Sequence, residues 1–86
     1  MTENEIRQIV HTYISENFLF DASKRLEDDE SFLGSGVVDS TGVMELITFL
    51  GERFNLDFQD DELIADNFGS VAKVSAFISR KTHQPP

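Results

Sequence analysis

The 86-residue sequence contains no cysteine and no tryptophan, and its only two prolines are the last two residues. Without cysteine, the chain has no disulfide framework, no thiolate nucleophile of its own and no cysteine-based zinc site. Nothing in its composition indicates an oxidising compartment. We therefore expect a cytoplasmic protein.

Basic residues are also scarce. Seven lysines and arginines stand against sixteen aspartates and glutamates, which gives a net charge of -9. A surface of this sign repels a phosphate backbone, so nucleic acid is not expected as a partner. The same field accelerates association with basic protein surfaces, and these are the partners that the composition favours.

Long apolar runs are absent as well. No segment approaches the length of a membrane span, and the acidic start Met1-Thr-Glu-Asn-Glu lacks the basic flank of a signal peptide. Hydrophobic residues nevertheless make up 40% of the chain and include eight phenylalanines. This is enough for one compact core, and we expect a monomer with one domain over residues 1–81 and a disordered tail over 82–86.

Four segments have the apolar spacing of amphipathic helices. The pattern predicts helices over about residues 3–17, about 40–54, 61 to about 67 and from 71 to about 81, and it predicts no strand. Thr2 and Glu5 form a possible capping box, and Ser70 is a good N-cap for the last helix. The fold class is therefore all-α, a four-helix bundle with a short third helix.

A long loop over residues 18–39 separates the first two predicted helices. Its turn-forming residues interrupt the helical period, and long loops in compact domains are often functional. Its apolar residues are expected to anchor it to the helices. These residues are Phe18, Leu19, Phe20, Leu26, Phe32 and Leu33.

The most informative residues stand where this loop meets the second predicted helix. Asp39 and Ser40 lie at its N-terminus, where unpaired N–H groups and the helix dipole favour an anion. A phosphodiester on the Ser40 hydroxyl would suit this position. On local features alone, however, the favoured interpretation is that Asp39 or Ser40 simply caps the helix.

The wider pattern resembles the acyl and peptidyl carrier protein family over about residues 3–81. The resemblance depends on Asp39-Ser40 followed by Glu45-Leu46, with Phe32 and Gly36 upstream. A second match is Asn67-Phe68-Gly69-Ser70-Val71, before Phe77-Ile78. Each of these matches is weak evidence alone. Their occurrence together in one small acidic chain is strong evidence for the resemblance.

The resemblance implies a function. Ser40 would receive a 4'-phosphopantetheine arm from coenzyme A, attached by a separate magnesium-dependent phosphopantetheinyl transferase, with Asp39 beside it. The arm's thiol would carry acyl groups as thioesters to loading, condensing or modifying enzymes of fatty acid or polyketide biosynthesis. The chain itself would then be no enzyme, and its sulfur would be imported.

The resemblance also suggests which residues partners and cargo contact. The expected partner-facing residues are Asp39, Thr41, Met44, Glu45, Glu52, Asp61 and Glu62. The expected lining of an acyl-chain cavity is Val43, Met44, Ile47, Ile64, Phe32 and Leu33. For Val43 and Ile47, which share the inward stripe, ordinary core is the favoured alternative.

Some features depart from the family. Thr41-Gly42 replaces the apolar residue that often follows the serine, which makes the helix start more polar and more flexible. Leu33-Gly34-Ser35-Gly36 lacks the Gly-Gly-x-Ser pattern of many peptidyl carriers. A discrete acyl carrier is therefore favoured over a peptidyl or aminoacyl carrier.

The remaining alternative is a non-carrier acidic helical module that either mediates protein interactions or binds calcium weakly, with Ser40 only a cap. The acidic residues in question are Asp57, Asp60, Asp61, Glu62 and Asp66. They lack the ligand spacing and central glycine of an EF-hand loop, so we expect no metal site. His11 and His83 have no nucleophile at a recognisable spacing and are interpreted as surface residues.

Overall fold

The structure, a computed structural model, describes residues 2–19 and 26–82, and it is all-α as predicted. The described residues form no strand. These two ranges contain five α-helices: α1 (Glu3–Asn17), α2 (Phe32–Ser35), α3 (Ser40–Phe54), α4 (Ala65–Phe68) and α5 (Val71–Thr82). A single 3-10 turn, Asp60–Glu62, precedes α4.

The three long helices confirm the predicted ones. The capping box at the start of α1 is present, because Glu5 N–H donates to the Thr2 hydroxyl and Thr2 N–H donates to the Glu5 carboxylate, each at 3.2 Å. Ser70 accepts a hydrogen bond from the Lys73 N–H at 3.2 Å at the start of α5. Helix α5 extends through Thr82, one residue into the predicted tail, and residues 83–86 lie outside the described part of the chain.

The core lies mainly between α1 and α5, which pack along most of their length. Helix α3 adds the fully buried Leu46 and Leu50. The other buried residues of the three long helices are apolar and helically spaced, apart from Gly42 and Ser75: Ile6, Val10, Ile14, Val71, Val74, Phe77 and Ile78. Their periodicity is the reason that the sequence predicts these helices so closely.

The third predicted helix, over residues 61–67, is wrong as a continuous element. The structure has the 3-10 turn first, then Leu63 and the extended Ile64 (φ -124°, ψ 159°), and only then α4. The Glu62 side chain accepts a hydrogen bond of 2.8 Å from the Gln59 N–H, which closes the turn on itself. Long-range contacts then decide the path of this short segment, whose local pattern supports little more than one helical turn.

The loop after α1 contains a helix that the sequence analysis missed. Ser31 caps α2 by accepting a hydrogen bond of 3.0 Å from the Gly34 N–H, and Gly36 ends it in the left-handed region at φ 76°. Glycines and serines hide such a turn in the sequence because they also suit irregular loops. Burial of Phe32 fixes α2 in place.

Most of the predicted anchors of this loop hold. Leu26 and Phe32 are buried, and Phe18 and Leu19 are partly buried against the core. Leu33 does not anchor the loop, because it is 59% exposed. Phe20 lies outside the described residues.

Polar contacts attach the loop between α1 and α3 to α1 and to α5. Asp28 accepts a hydrogen bond from His11 on α1 and pairs with Arg7, whose Nε lies 3.4 Å from Asp28 Oδ2. The backbone of Asp28 accepts the Ala72 N–H of α5 at 2.8 Å. His11 is thus partly buried and bound rather than a simple surface residue, whereas His83 lies outside the described residues.

No helix in the described ranges is long and apolar enough to cross a membrane.

Candidate functional site

Ser40 is the first residue of α3, and it is exposed. Asp39 is the N-cap, because its Oδ1 accepts a hydrogen bond of 2.7 Å from the Gly42 N–H. The capping role, which local sequence features leave open between the two residues, therefore belongs to Asp39. Ser40 keeps its hydroxyl for other contacts.

The surroundings of Ser40 suit an anion. Its hydroxyl makes no hydrogen bond to another described residue. The N–H groups of Ser40 and Thr41 have no partner within α3 because they belong to its first turn, and no other described residue accepts from them. The positive end of the helix dipole adds to the favourable field at this point.

An apolar cavity of about 200 Å³ opens between α3, α2 and the segment that leads into α4. Val43 and Met44 contribute from α3, one helical turn beyond Ser40, and Ile47 follows on the same face. All six residues predicted for an acyl cavity line this one space. They are Phe32, Leu33, Val43, Met44, Ile47 and Ile64.

The mouth of the cavity is unusually apolar for a surface. The large hydrophobic side chains most exposed in the described residues are Leu33 (59%), Met44 (55%) and Ile64 (48%), and all three line this cavity. Val43 and Ile47 are partly buried, so they form its wall rather than sealed core. Exposed apolar patches of this kind mark ligand or partner sites.

The sequence analysis missed five other residues of the lining: Ser31, Leu63, Ala65, Phe68 and Gly69. Phe68 and Gly69 belong to the motif Asn67-Phe68-Gly69-Ser70-Val71, and Phe68 follows the predicted cavity residue Ile64 by four positions. This spacing could have identified Phe68 from the sequence. Leu63 gives no such signal because its place depends on the break in the third predicted helix.

Gly42 has a packing role that the sequence analysis also missed. The residue is buried, and a Cβ at this position would lie 2.8 Å from both Phe18 Cε1 and Val38 Cγ1. Real Cβ atoms do not approach carbon so closely. Glycine is needed here so that the loop can pack directly against the first turn of α3.

Thr41 and Glu45 lie on a different face of α3 from the cavity. Together with Phe18 and Val37 they line a shallow groove of about 320 Å³. Burial, and secondarily the charge of Glu45, raise the pKa of Tyr13 above its ordinary value. Of the predicted partner-facing residues on α3, Met44 thus lies at the cavity mouth, and Thr41 and Glu45 line this groove.

Glu52 and Asp61 are exposed, as partner-facing carboxylates need to be. Glu62 differs from them because its two oxygens each lie 3.0 Å from the ammonium of Lys81. The Gln59 N–H, and then the Lys81 ammonium, lower the pKa of Glu62. Its charge is already matched within the chain.

A larger groove of about 470 Å³ lies between α1 and α3, away from Ser40. Its floor includes Tyr13 and Phe49, whose rings stack with centroids 4.1 Å apart. In the described part of the chain, no group of three or more histidine, aspartate or glutamate side chains is arranged to hold a metal ion.

A helical domain with a free serine at a helix N-terminus and an apolar cavity on the same helix face has the form of a carrier domain. No model of a protein family matches the chain. It is 33% identical over 81 residues to the acyl carrier protein of Guillardia theta, covering 94% of this chain and 96% of that protein.

Two relatives from Streptococcus suis bear the name D-alanyl carrier protein. The one from strain 98HAH33 is 29% identical over 79 residues and the one from strain 05ZYH33 is 28% identical over the same length. Each alignment covers 92% of this chain and 98% of the relative. The chain belongs to the acyl carrier protein family, as its sequence pattern predicts.

Proposed function

We propose that this protein is a discrete acyl carrier that is primed on Ser40 with a 4'-phosphopantetheine arm. The observation that carries the proposal is the position of Ser40: exposed, not used as a cap, and one helical turn from Val43 and Met44 at an apolar cavity. Membership of the carrier family supports the same role.

The residues around Ser40 fit such a group. In priming, the Ser40 oxygen would bond to the phosphorus of coenzyme A that carries the pantetheine. The bond from that phosphorus to the adenosine 3',5'-bisphosphate leaving group would break, and the hydroxyl proton would pass to a base of the transferase. The unpaired N–H groups of Ser40 and Thr41 would favour a negatively charged phosphodiester at this position. Asp39 holds these groups in place by capping the helix.

The arm supplies a thiol that this cysteine-free chain lacks, and acyl groups are held there as thioesters. The chain's own contribution is to bind and shield. Phe32, Ile47 and Phe68 provide apolar walls, while the exposed Met44 and Leu33 stand at the entrance. The chain presents cargo and catalyses nothing itself.

Partner enzymes would dock on the surface around Ser40 through basic residues. Asp39, Glu45 and Glu52 are exposed carboxylates on or next to α3, and Asp61 lies on the 3-10 turn. Met44 offers an adaptable apolar contact at the centre. Glu62 is left out of this surface because Lys81 already occupies its carboxylate.

The second candidate is an aminoacyl carrier, which the names of the Streptococcus suis relatives favour. An alanyl group carries an ammonium, and burying a charge without a partner in an apolar cavity is costly. The cavity lining therefore favours an apolar acyl chain.

Intact-mass measurement tests the proposal. Incubated with coenzyme A and a broad-specificity phosphopantetheinyl transferase, the wild type and the Thr82→Ala control, which changes a hydroxyl at the end of α5, should each gain one arm, and Ser40→Ala should gain none. A wild type that stays unmodified would contradict the proposal.

Loading with octanoyl and with D-alanyl groups separates the two candidates. An octanoyl group should shift the amide NMR signals of Val43, Ile47 and Leu63, which line the cavity. A D-alanyl group should leave them unchanged. Equal shifts with both groups would contradict the preference for apolar cargo.

A further inference from the structure

We infer that Lys81 is a positioning residue for one wall of the apolar cavity, formed by the segment over residues 60–68. Lys81 fixes this wall by holding Glu62. Lys81 stands in the last turn of α5, far along the chain from Ser40. Its ammonium lies 3.0 Å from both carboxylate oxygens of Glu62 in the 3-10 turn. The role of this wall in holding cargo rests on the proposed carrier function. The contact between Lys81 and Glu62 does not depend on that proposal.

Glu62 makes the hydrogen bonds that connect the parts of this wall. Its side chain accepts the Gln59 N–H at 2.8 Å, and its backbone carbonyl accepts the Asn67 side-chain amide at 2.9 Å. The next two residues, Leu63 and Ile64, line the cavity directly. A contact that holds Glu62 therefore sets where the wall stands.

The wall needs such a contact because it has little stability of its own. The 3-10 turn has three residues and α4 has four, both far below the length at which a helix is stable alone. Ile64, between them, is 48% exposed and packs weakly. The segment must be held from outside.

Two supports are visible at its ends. Phe68 is buried and meets Phe58 and Phe77 edge-on, with ring centroids 5.4 and 5.3 Å apart. This aromatic cluster fixes α4 at one end. At the other end, Leu63 is partly buried against the core, and the ion pair with Lys81 adds a link to α5. The Lys81 ammonium also lies 5.9 Å from the Phe58 ring centroid.

The ion pair between Lys81 and Glu62 is partly shielded from solvent, which strengthens it. The side chains of Lys81 and Glu62 are 20% and 24% exposed, so water and salt screen them less than a fully exposed pair. The Glu62 carboxylate is charged near neutral pH, because its ordinary pKa of 4.5 lies far below 7 and the contacts lower the pKa further. Release of this pair would let Leu63 and Ile64 move away from α3 and widen the cavity.

Hydrogen exchange on the unmodified protein tests the contact without any need for the arm. In Lys81→Met, the amides of Leu63, Asn67 and Phe68 should exchange about fivefold faster, the factor expected for losing one sheltered ion pair. Amides of Val10 and Leu46 in the long helices should accelerate by no more than the loss of global stability that urea denaturation measures. Lys81→Arg should restore slow exchange, because arginine can also pair with a carboxylate through two bonds.

Lys73→Met is the matched control. It makes the same substitution on the exposed surface of the same helix, where the lysine side chain forms no ion pair with a described residue. Unchanged exchange of the Leu63, Asn67 and Phe68 amides in Lys81→Met, or the same effect in Lys73→Met, would each overturn the inference.

The consequence for cargo is measured on loaded protein. On the wild type, hydroxylamine should cleave an octanoyl thioester more slowly than an acetyl thioester. Lys81→Met should reduce the ratio of the acetyl to the octanoyl cleavage rate about fivefold, and Lys81→Arg should preserve this ratio. An unaltered ratio would overturn the role of Lys81 in positioning. If the wild type accepts no arm, the proposed function fails, and the exchange experiment still decides whether Lys81 holds the wall.

Discussion

The carboxylate of Asp39 accepts a hydrogen bond of 2.7 Å from the N–H of Gly42. This contact assigns the cap of α3 to the aspartate and leaves the neighbouring Ser40 hydroxyl exposed. Two residues that look interchangeable in the sequence therefore have separate roles, one in stability and one in the proposed attachment.

Stability measurements should separate Asp39 from Ser40. Asp39→Ala should lower the free energy of unfolding by about 1 kcal/mol, the usual cost of losing an N-cap. Ser40→Ala should change it by less than about 0.5 kcal/mol, because Ser40 makes no capping contact. Urea denaturation followed by circular dichroism measures both.

Asp39→Asn is the control for the cap, since asparagine caps helices about as well. It should retain the stability that alanine loses. If Ser40→Ala proved as destabilising as Asp39→Ala, Ser40 would be a structural cap and the separation of roles would be wrong.

Gly42 gives a second prediction. Alanine is favoured over glycine in a helix by about 1 kcal/mol. Here its Cβ would meet Phe18 and Val38 at 2.8 Å, and such overpacking costs about 1–3 kcal/mol. Gly42→Ala should therefore destabilise the protein by about 1 kcal/mol net, as read from the urea midpoint.

Thr41→Ala, one residue away and exposed, is the matched control and should not destabilise the protein. A stabilised Gly42→Ala variant would mean that the loop does not pack as closely on α3 as the structure has it.

The sequence predicts the long helices well because each buries a stripe of apolar residues at helical spacing. Ile6, Val10 and Ile14 form such a stripe on α1, and Thr2 marks its start. Local pattern and tertiary packing agree in these elements, so the approximate bounds predicted for α1 and α3 match the observed helices.

The sequence fails where tertiary contacts decide. Helix α2 is fixed by the burial of Phe32 and by the hydrogen bond of 2.9 Å from its N–H to the Gly69 carbonyl. The segment before α4 is fixed by Lys81, nineteen residues from Glu62 in the chain. No local period records either contact. The cavity residues were predictable as a set because the family pattern names them, whereas Leu63 depends on the broken helix.

Tyr13 provides an optical test of the environment beside α3. It is the only tyrosine, and there is no tryptophan to obscure its spectrum. Burial first, and then the charge of Glu45, raise the pKa of Tyr13 above its ordinary 10.0. Titration in the near ultraviolet, with circular dichroism to check that the fold persists, should give a pKa above this value.

Glu45→Gln should lower the pKa of Tyr13 without returning it to 10.0, because burial is the larger cause. A tyrosine that titrates at its ordinary value, or that does not respond to Glu45, would show that the two residues are not neighbours in solution.

Acid should weaken the contribution of Glu62 to stability. The pKa of Glu62 is lowered from its ordinary 4.5, chiefly by the Gln59 N–H and then by Lys81. A lowered folded pKa contributes stability that is complete above 4.5 and is lost as the pH falls through the folded value. The wild type should therefore exceed Glu62→Gln in stability near neutral pH, and the difference should shrink toward about pH 3.

Urea denaturation across this pH range measures the difference. Glu5, whose pKa is lowered by hydrogen bonds from the Thr2 N–H and hydroxyl, provides a parallel case, and Glu5→Gln should show the same sign. A difference between wild type and Glu62→Gln that stayed constant with pH would contradict the contact with Lys81.

The most direct test of the proposed function is to locate the modification on primed wild-type protein. After reaction with coenzyme A and the transferase, fragment-ion mass spectrometry should find the mass of one arm on Ser40 and on no other residue. An arm on any other hydroxyl, or an unmodified Ser40 in protein that the enzyme has fully processed, would contradict the assignment of Ser40 as the attachment point.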